Sequence, residues 1–374
     1  MWFKRIVCIC GVFGALCLYA AAKPTISSRS AIVYLPETGQ VLFEKDADTP
    51  RPMASTTKLM TALVAAETLT LTDEITVSDE AVRVEGSSLG LRGGDRITVQ
   101  DLLTGMLLES GNDAANAVAL AVEDSLGAFS LRMNEKAADL GMTRSGFVTP
   151  SGLDAEGHAA SARDMALLGA VVLENPTLAA ICGTKTTQIR FGDPPVTHTV
   201  SNHNRLLSKM TDCIGLKTGY TTKAGRCLVS AVTRGDITLV VVTLNGQDYW
   251  NDHQSLYDYG FSQILRADLP TVVLPLLSVS GGMVDQVALH FDVPKAPIVN
   301  AGEITALTAK VELPRFVLAP VKSGDVVGHI RFEKDNEVLC SVPVTAAEDV
   351  AARSVASPWE WWWHWFCTLL AALG

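Results

Sequence analysis

Apolar positions along the chain fall into three regimes. From Ser55 to about Asn175 they recur at three- and four-residue intervals: Leu102, Leu103, Met106 and Leu107 share one helical face, and "AANAVALAVEDSL" and "ARDMALLGAVVLE" each carry a further stripe. These predict a layer of helices. Before them, "AIVYLPETGQVLFEKD" (Ala31 to Asp46) reads as two short strands about Pro36-Glu37-Thr38-Gly39. After them strand signals return in "KTTQIRF", "CIGLKTG", "CLVSAVTR" and "ITLVVVTL", the last two joined by Gly235-Asp236 in a hairpin turn, and "HQSLYDYGFSQIL" predicts a closing amphipathic helix. Strands at both sequence ends with helices between predict an α/β (α+β) domain over 23–267, its antiparallel sheet assembled from both ends and covered by helices.

Beyond about Asp268 the pattern changes to short strands with Gly and Pro breaks ("QVALHFDV", "ALTAKVEL", "DVVGHIRFEK", "EVLCSVPV"), which predicts a small all-β domain over 268–347. The remaining 348–374 is a linker and a Trp-rich segment, "SPWEWWWHWFCTLLAALG". Ser357 and Glu360 make a capping box with Pro358 at the first helical position. A helix from Pro358 to Leu373 is roughly 24 Å long, short of the ~30 Å hydrocarbon core. It is expected to lie in one membrane face, with Trp359, Trp361, Trp362, Trp363 and Trp365 at headgroup level and Leu369, Leu370 and Leu373 toward the acyl chains. The competing reading is a helix docked on the protein's own core.

The N-terminus has Lys4 and Arg5, an apolar run from Ile6 to Leu18, and Ala20-Ala21-Ala22, a secretory signal over 1–22 with cleavage before Lys23. The alternatives are an uncleaved anchor, for which the run is short, and a lipoprotein at Cys17, which the bulky Leu16 disfavours. Losing Lys4 and Arg5 takes the formal charge from -10 to -12, and an acidic product with no basic cluster is not expected to bind nucleic acid. Cys8, Cys10 and Cys17 leave with the signal. Cys182, Cys213, Cys227, Cys340 and Cys367 remain without a CxxC pair, so neither a metal site nor another cofactor is expected. Cys213 and Cys227 could face each other across a hairpin, bonded or as two buried thiols.

The candidate chemistry begins at "MASTTKLMTALVAAE", where Ser55 and Lys58 lie one helical turn apart on the same face. A serine needs a base to become a nucleophile. A Lys of ordinary pKa, about 10.4, is protonated at neutral pH, but burial among Leu59, Met60 and Leu63 favours the neutral amine, which can accept the hydroxyl proton. A Ser-x-x-Lys pair alone recurs by chance. Here it is followed by Ser110-Gly111-Asn112 in the break between two helical stripes and by Lys217-Thr218-Gly219 at the end of a strand. That ordered triple is the signature of penicillin-binding proteins and serine β-lactamases.

The stretches "ASTTKLMTA", "GSSLGLRGGD", "LLESGNDAANA", "GLDAEGHAASARDMA" and "GLKTGYTTKAGRCLV" resemble the D-alanyl-D-alanine carboxypeptidases, the low-molecular-mass penicillin-binding proteins, from about Ala31 to Leu265. The resemblance implies a catalytic domain of the β-lactamase/transpeptidase-like fold, and the β domain with an anchoring tail also resembles that family's layout. It implies that Ser55 attacks the penultimate D-alanine carbonyl of a peptidoglycan stem pentapeptide, with Lys58 as base and Ser110 relaying a proton to the leaving amine. Asn112 would hydrogen-bond the substrate backbone. Lys217 and Thr218 would hold the terminal carboxylate, Gly219 would allow close approach, and the N–H groups of Ser55 and Tyr220 would form the oxyanion hole. It further implies acylation by β-lactam antibiotics, and an exported location at the periplasm or the outer face of the bacterial inner membrane. Some members carry a histidine where this chain has Tyr220. Some use an arginine for the substrate carboxylate, and "SNHNRLL" offers His203 and Arg205 here.

Three other functions compete. A β-lactamase of class A would need a Glu-x-x-Leu-Asn segment, which the residues after Glu174 do not match. A transpeptidase or endopeptidase would use the same nucleophile with another acceptor or substrate, and a wall-binding module would use none. His158, amid turn formers, reads as structural and not as part of a Ser-His-Asp triad.

Overall fold

The structure, a computed structural model, describes residues 22–302 and 307–354 together with Trp359, Trp362, Trp363, Trp365 and Phe366. Of the predicted signal, all but Ala22 lies outside the described residues, as do the capping-box pair Ser357 and Glu360 and most of the tail. The chain divides into two compact units, between Gln263 and Ile264.

The first unit begins with β1 (Ser30–Leu35) and β2 (Gln40–Lys45), the expected hairpin, closed by the Gly39 N–H on the Leu35 carbonyl at 2.9 Å. A single 3-10 turn (Ala54–Thr57) runs straight into α1 (Lys58–Thr68). There follow β3 (Glu74–Thr76), β4 (Arg96–Thr98), α2 (Val99–Leu108), α3 (Asn112–Val122), α4 (Leu126–Asp139), α5 (Ala162–Glu174) and α6 (Pro176–Gly183). Then come β5 (Thr186–Gly192), β6 (Val196–Ser201), the short α7 (Leu206–Lys209), β7 (Cys213–Thr221), β8 (Gly225–Arg234), β9 (Ile237–Gly246) and α8 (Tyr249–Gln263). Thr98, Ser125, Ser161 and Asn175 cap α2, α4, α5 and α6 by accepting backbone N–H bonds that the first turn of each helix leaves unmet.

The main sheet is antiparallel in the order β2-β1-β9-β8-β7, joining the two sequence ends as expected. β8 and β9 read as long apolar runs because helices bury them; Leu228, Val229, Ala231, Val240, Val241 and Val242 are all fully buried. The helical layer packs through Leu59, Met60, Leu102, Met106, Val118 and Phe129 into one core with Val229, Ala231, Val240 and Val242. Two features depart from the expectation. The helical regime contains β3 and β4, which join β5 and β6 in a second sheet, and strands of three residues are too short to show alternation. Cys213 and Cys227 do not face each other: Cys213 lies opposite Val232 and Cys227 opposite Gly219, and both thiols are free.

Ahead of its tail, the second unit is all-β among the described residues. Its four-stranded sheet takes Leu289–His290, Glu337–Ala346, Val326–Lys334 and Thr308–Glu312 in that order, with Ile330, Phe332 and Val344 buried beneath it. A three-stranded sheet around Leu277–Ser280 packs its Leu277, Val279 and Val287 on Val321, Ala346 and Val350. In the tail, the five described residues are helical, and Trp359 stacks on Trp362 with ring centroids 5.4 Å apart.

Candidate active site

The site forms where three backbone specialities meet. Ala54, Ser110 and Leu216 have φ of +48°, +64° and +76°, in the left-handed region that costs a non-glycine residue about 1–2 kcal/mol. Each immediately precedes or opens a predicted motif, and strain at such positions persists only where surrounding structure holds it. Ala54 turns the chain so that Ser55 enters the 3-10 turn, half-buried at the foot of a cleft of about 700 Å³.

Lys58, fully buried at the start of α1, has three acceptors around its amine: Ser55 Oγ at 3.1 Å, Asn112 Oδ1 at 2.7 Å and the Ser151 carbonyl at 2.6 Å. Three acceptors suit an ammonium. Burial, and then the positive charge of Lys217, hold the Lys58 pKa well below its ordinary value, so the amine sheds a proton easily. The neutral amine keeps two N–H donors and gains a lone pair. An amide oxygen and a backbone carbonyl can only accept, so the donors stay on Asn112 and Ser151. The lone pair is left for the one partner that can donate, the Ser55 hydroxyl.

Asn112 is held in turn: its Nδ2 donates to the Glu85 carbonyl at 2.7 Å and its N–H to the Ser87 carbonyl at 2.7 Å. Ser110 lines the cleft with Ser55. Lys217 lies buried in β7 and donates to the Thr218 carbonyl at 3.1 Å; burial lowers its pKa to about 8. Thr218, Gly219 and Tyr220 line the cleft, with Tyr220 well exposed. A Cβ on Gly219 would sit 2.9 Å from the Ser55 nitrogen and 3.0 Å from both the Met53 oxygen and the Thr56 nitrogen, so only glycine lets β7 press against the nucleophile turn.

All eight predicted site residues therefore converge on one cleft or directly beneath it. Its wall also includes Ser87, Asn202, His203, Arg205, Arg226, Gln247, Tyr249 and Trp250, and among the described residues no acidic side chain lines it. The Arg226 guanidinium lies over the Tyr220 ring at 5.6 Å and the Tyr249 ring at 5.7 Å. Arg226 was legible only through strand register, opposite Tyr220 across the hairpin. Ser151 left no sequence signal, because its contribution is a backbone carbonyl.

His158 is not a triad member. Its Nδ1 accepts the Val148 N–H at 2.9 Å and the Thr149 N–H at 3.3 Å, which puts the ring proton on Nε2, donated to Thr57 Oγ1 at 2.9 Å; Thr57 donates onward to the Ala54 carbonyl at 2.8 Å. Burial lowers its pKa to about 4, so the ring is a neutral brace for the turn that carries Ser55.

A five-stranded antiparallel sheet under a helical layer, with a buried lysine against a serine at the sheet edge, defines the penicillin-binding, transpeptidase-like class. Within it, a family profile described as D-alanyl-D-alanine carboxypeptidase matches residues 18–248, and one described as the C-terminal domain of penicillin-binding protein 5 matches 272–352. The chain belongs to the D-alanyl-D-alanine carboxypeptidase family. It is 34% identical over 346 residues to the D-alanyl-D-alanine carboxypeptidase DacC of Escherichia coli K12, covering 87% of this chain and 85% of that one. Penicillin-binding protein 5 from Haemophilus influenzae matches with a TM-score of 0.64 at 26% identity, over 88% of this chain and 99% of that one. The DD-transpeptidase of Streptomyces K15, solved as a serine-to-alanine mutant, matches with a TM-score of 0.62 at 31% identity, over 64% of this chain and all of that one.

Proposed function

We propose that the chain is a serine D-alanyl-D-alanine carboxypeptidase that trims peptidoglycan stem pentapeptides through a Ser55 acyl-enzyme. The observation that carries this reading is the Lys58 amine, buried, depressed in pKa and 3.1 Å from Ser55 Oγ. Lys58 takes the hydroxyl proton as Oγ bonds to the penultimate D-alanine carbonyl. The N–H groups of Ser55 and Tyr220 take the developing oxyanion, a contribution of about 2.7–4 kcal/mol per donor. As the C–N bond breaks, Ser110 relays a proton to the leaving D-alanine amine. Water, with Lys58 again as base, then hydrolyses the ester and restores Ser55.

β7 is the edge strand of its sheet, which supports binding of the stem peptide as an added extended strand. Asn112 bonds the peptide backbone, while Lys217 and Thr218, supported by the arginines of the cleft wall, hold the terminal carboxylate. A β-lactam amide opens by the same attack, but its leaving nitrogen stays tethered and the ester is slow to hydrolyse. The K15 relative favours one second reading, transpeptidation with a peptide amine in place of water.

The exposed indoles Trp359, Trp362, Trp363 and Trp365 support peripheral binding of the tail to a membrane surface. Together with the signal over 1–22, this supports a location in the periplasm or on the outer face of the inner membrane. The 268–347 domain serves as a stand between tail and catalytic domain, and no cofactor takes part. The test is D-alanine release from a peptide ending in D-Ala-D-Ala. Release that penicillin blocks and Ser55→Ala abolishes is expected; release that survives in Ser55→Ala refutes the assignment.

A further inference from the structure

Asp113, one residue beyond Asn112, is 1% exposed and has no cationic partner in hydrogen-bond range among the described residues. Its carboxylate is instead filled by donors from a single loop and its own helix. Oδ2 accepts Ser88 Oγ at 2.6 Å, the Gly90 N–H at 2.9 Å and the Leu91 N–H at 3.0 Å; Oδ1 accepts the Leu89 N–H and the Ala114 N–H, both at 2.8 Å. Five donors on one buried carboxylate are enough to satisfy both oxygens. The same loop supplies the Glu85 and Ser87 carbonyls that hold Asn112, and Ser87 also lines the cleft. Two glycines make room for the arrangement. A Cβ on Gly111 would lie 2.8 Å from Asp113 Oδ1 and 3.1 Å from the Leu89 nitrogen, and one on Gly86 would lie 2.8 Å from Asn112 Nδ2.

We propose that Asp113 is a positioning residue for acyl transfer: its carboxylate clamps loop 85–91, and the loop aims the Asn112 amide oxygen at Lys58. The inference rests on the assignment of Lys58 as base. Acyl transfer depends on sub-ångström placement of the base, and the Asn112 oxygen fixes one of the two donors that leave the Lys58 lone pair pointing at Ser55. An uncharged side chain cannot replace the carboxylate. In Asp113→Asn, an NH2 in the Oδ1 position faces two backbone N–H groups, and in the Oδ2 position it faces two more and a hydroxyl, so neither rotamer satisfies the loop.

The experiment compares the full chain with Asp113→Asn by amide hydrogen exchange and by the kinetics of labelled-penicillin acylation. The expected result is faster exchange at Leu89, Gly90, Leu91 and the Asn112 side-chain amide. The acylation rate constant falls about 10- to 100-fold, while the number of titratable sites per chain stays near the parent value. A role confined to stability gives the opposite pattern: fewer titratable sites that react at the parent rate. That pattern, or an Asn112 amide that stays protected, overturns the proposal. If Asp113→Asn does not fold, Gly111→Ala, whose backbone φ of -55° accepts a side chain, crowds the same carboxylate and is read identically. If the parent chain itself is not acylated, the functional assignment fails, and the exchange measurement still decides whether Asp113 holds the loop.

Discussion

Replacing Gly219 by Ala tests the contact between β7 and the nucleophile turn with one added carbon. The backbone of Gly219 is not in the left-handed region, so alanine meets no conformational penalty, and the effect is steric. Its Cβ would lie 2.9 Å from the Ser55 nitrogen, where ordinary contact starts near 3.4 Å, so strand and turn must part by about 0.5 Å. An oxyanion donor works only over about 2.7–3.1 Å, a window narrower than that displacement. The variant should lose one donor's worth of transition-state stabilisation, about 2.7–4 kcal/mol, or roughly 10²–10³ in acylation rate. Overpacking costs about 1–3 kcal/mol of stability, so a cooperative melt should persist at a lower temperature. Stopped-flow acylation by a chromogenic cephalosporin reads the rate. A variant that folds and acylates within threefold of the parent refutes the close-approach argument.

Three further outcomes are expected. The pH profile of acylation should rise as Lys58 loses its proton, far below the ordinary lysine range, and fall above about pH 8 as Lys217 loses the charge that holds the substrate carboxylate; a C-terminally amidated peptide should lack the alkaline fall. His158 and His253 are buried neutral with pKa values of about 4 and about 3. The unfolded chain therefore binds more protons below pH 6.5, and stability should drop on acidification from there toward pH 4. Urea midpoints at pH 7 and pH 4.5 check this, and His158→Gln should flatten the upper part of the drop. A chain ending near Ala352 should leave the membrane fraction, as sedimentation of lysed cells would report.

What could be read in the sequence was local. Ser55 and Lys58 are neighbours on one turn, and the "ARDMALLGAVVLE" stripe coincides with α5 because its Ser161 cap and the Pro176 after Asn175 bound it chemically. What escaped depends on distant pairing. β3 and β4 exist because β5 and β6 offer a partner, and Arg226 reaches the cleft only through the β7–β8 register. Asp113 carries no local signal, because the loop that packs donors around it comes from residues more than 20 positions earlier.

The most direct test of the central claim, that Lys58 activates Ser55 as the nucleophile, is intact-protein and peptide mass spectrometry after brief exposure to penicillin. The account predicts one adduct of intact penicillin mass per chain, located on the peptide containing Ser55 and absent in Ser55→Ala, with its rate of appearance collapsing in Lys58→Ala. An adduct on any other residue, or one that forms at the parent rate without Lys58, contradicts it.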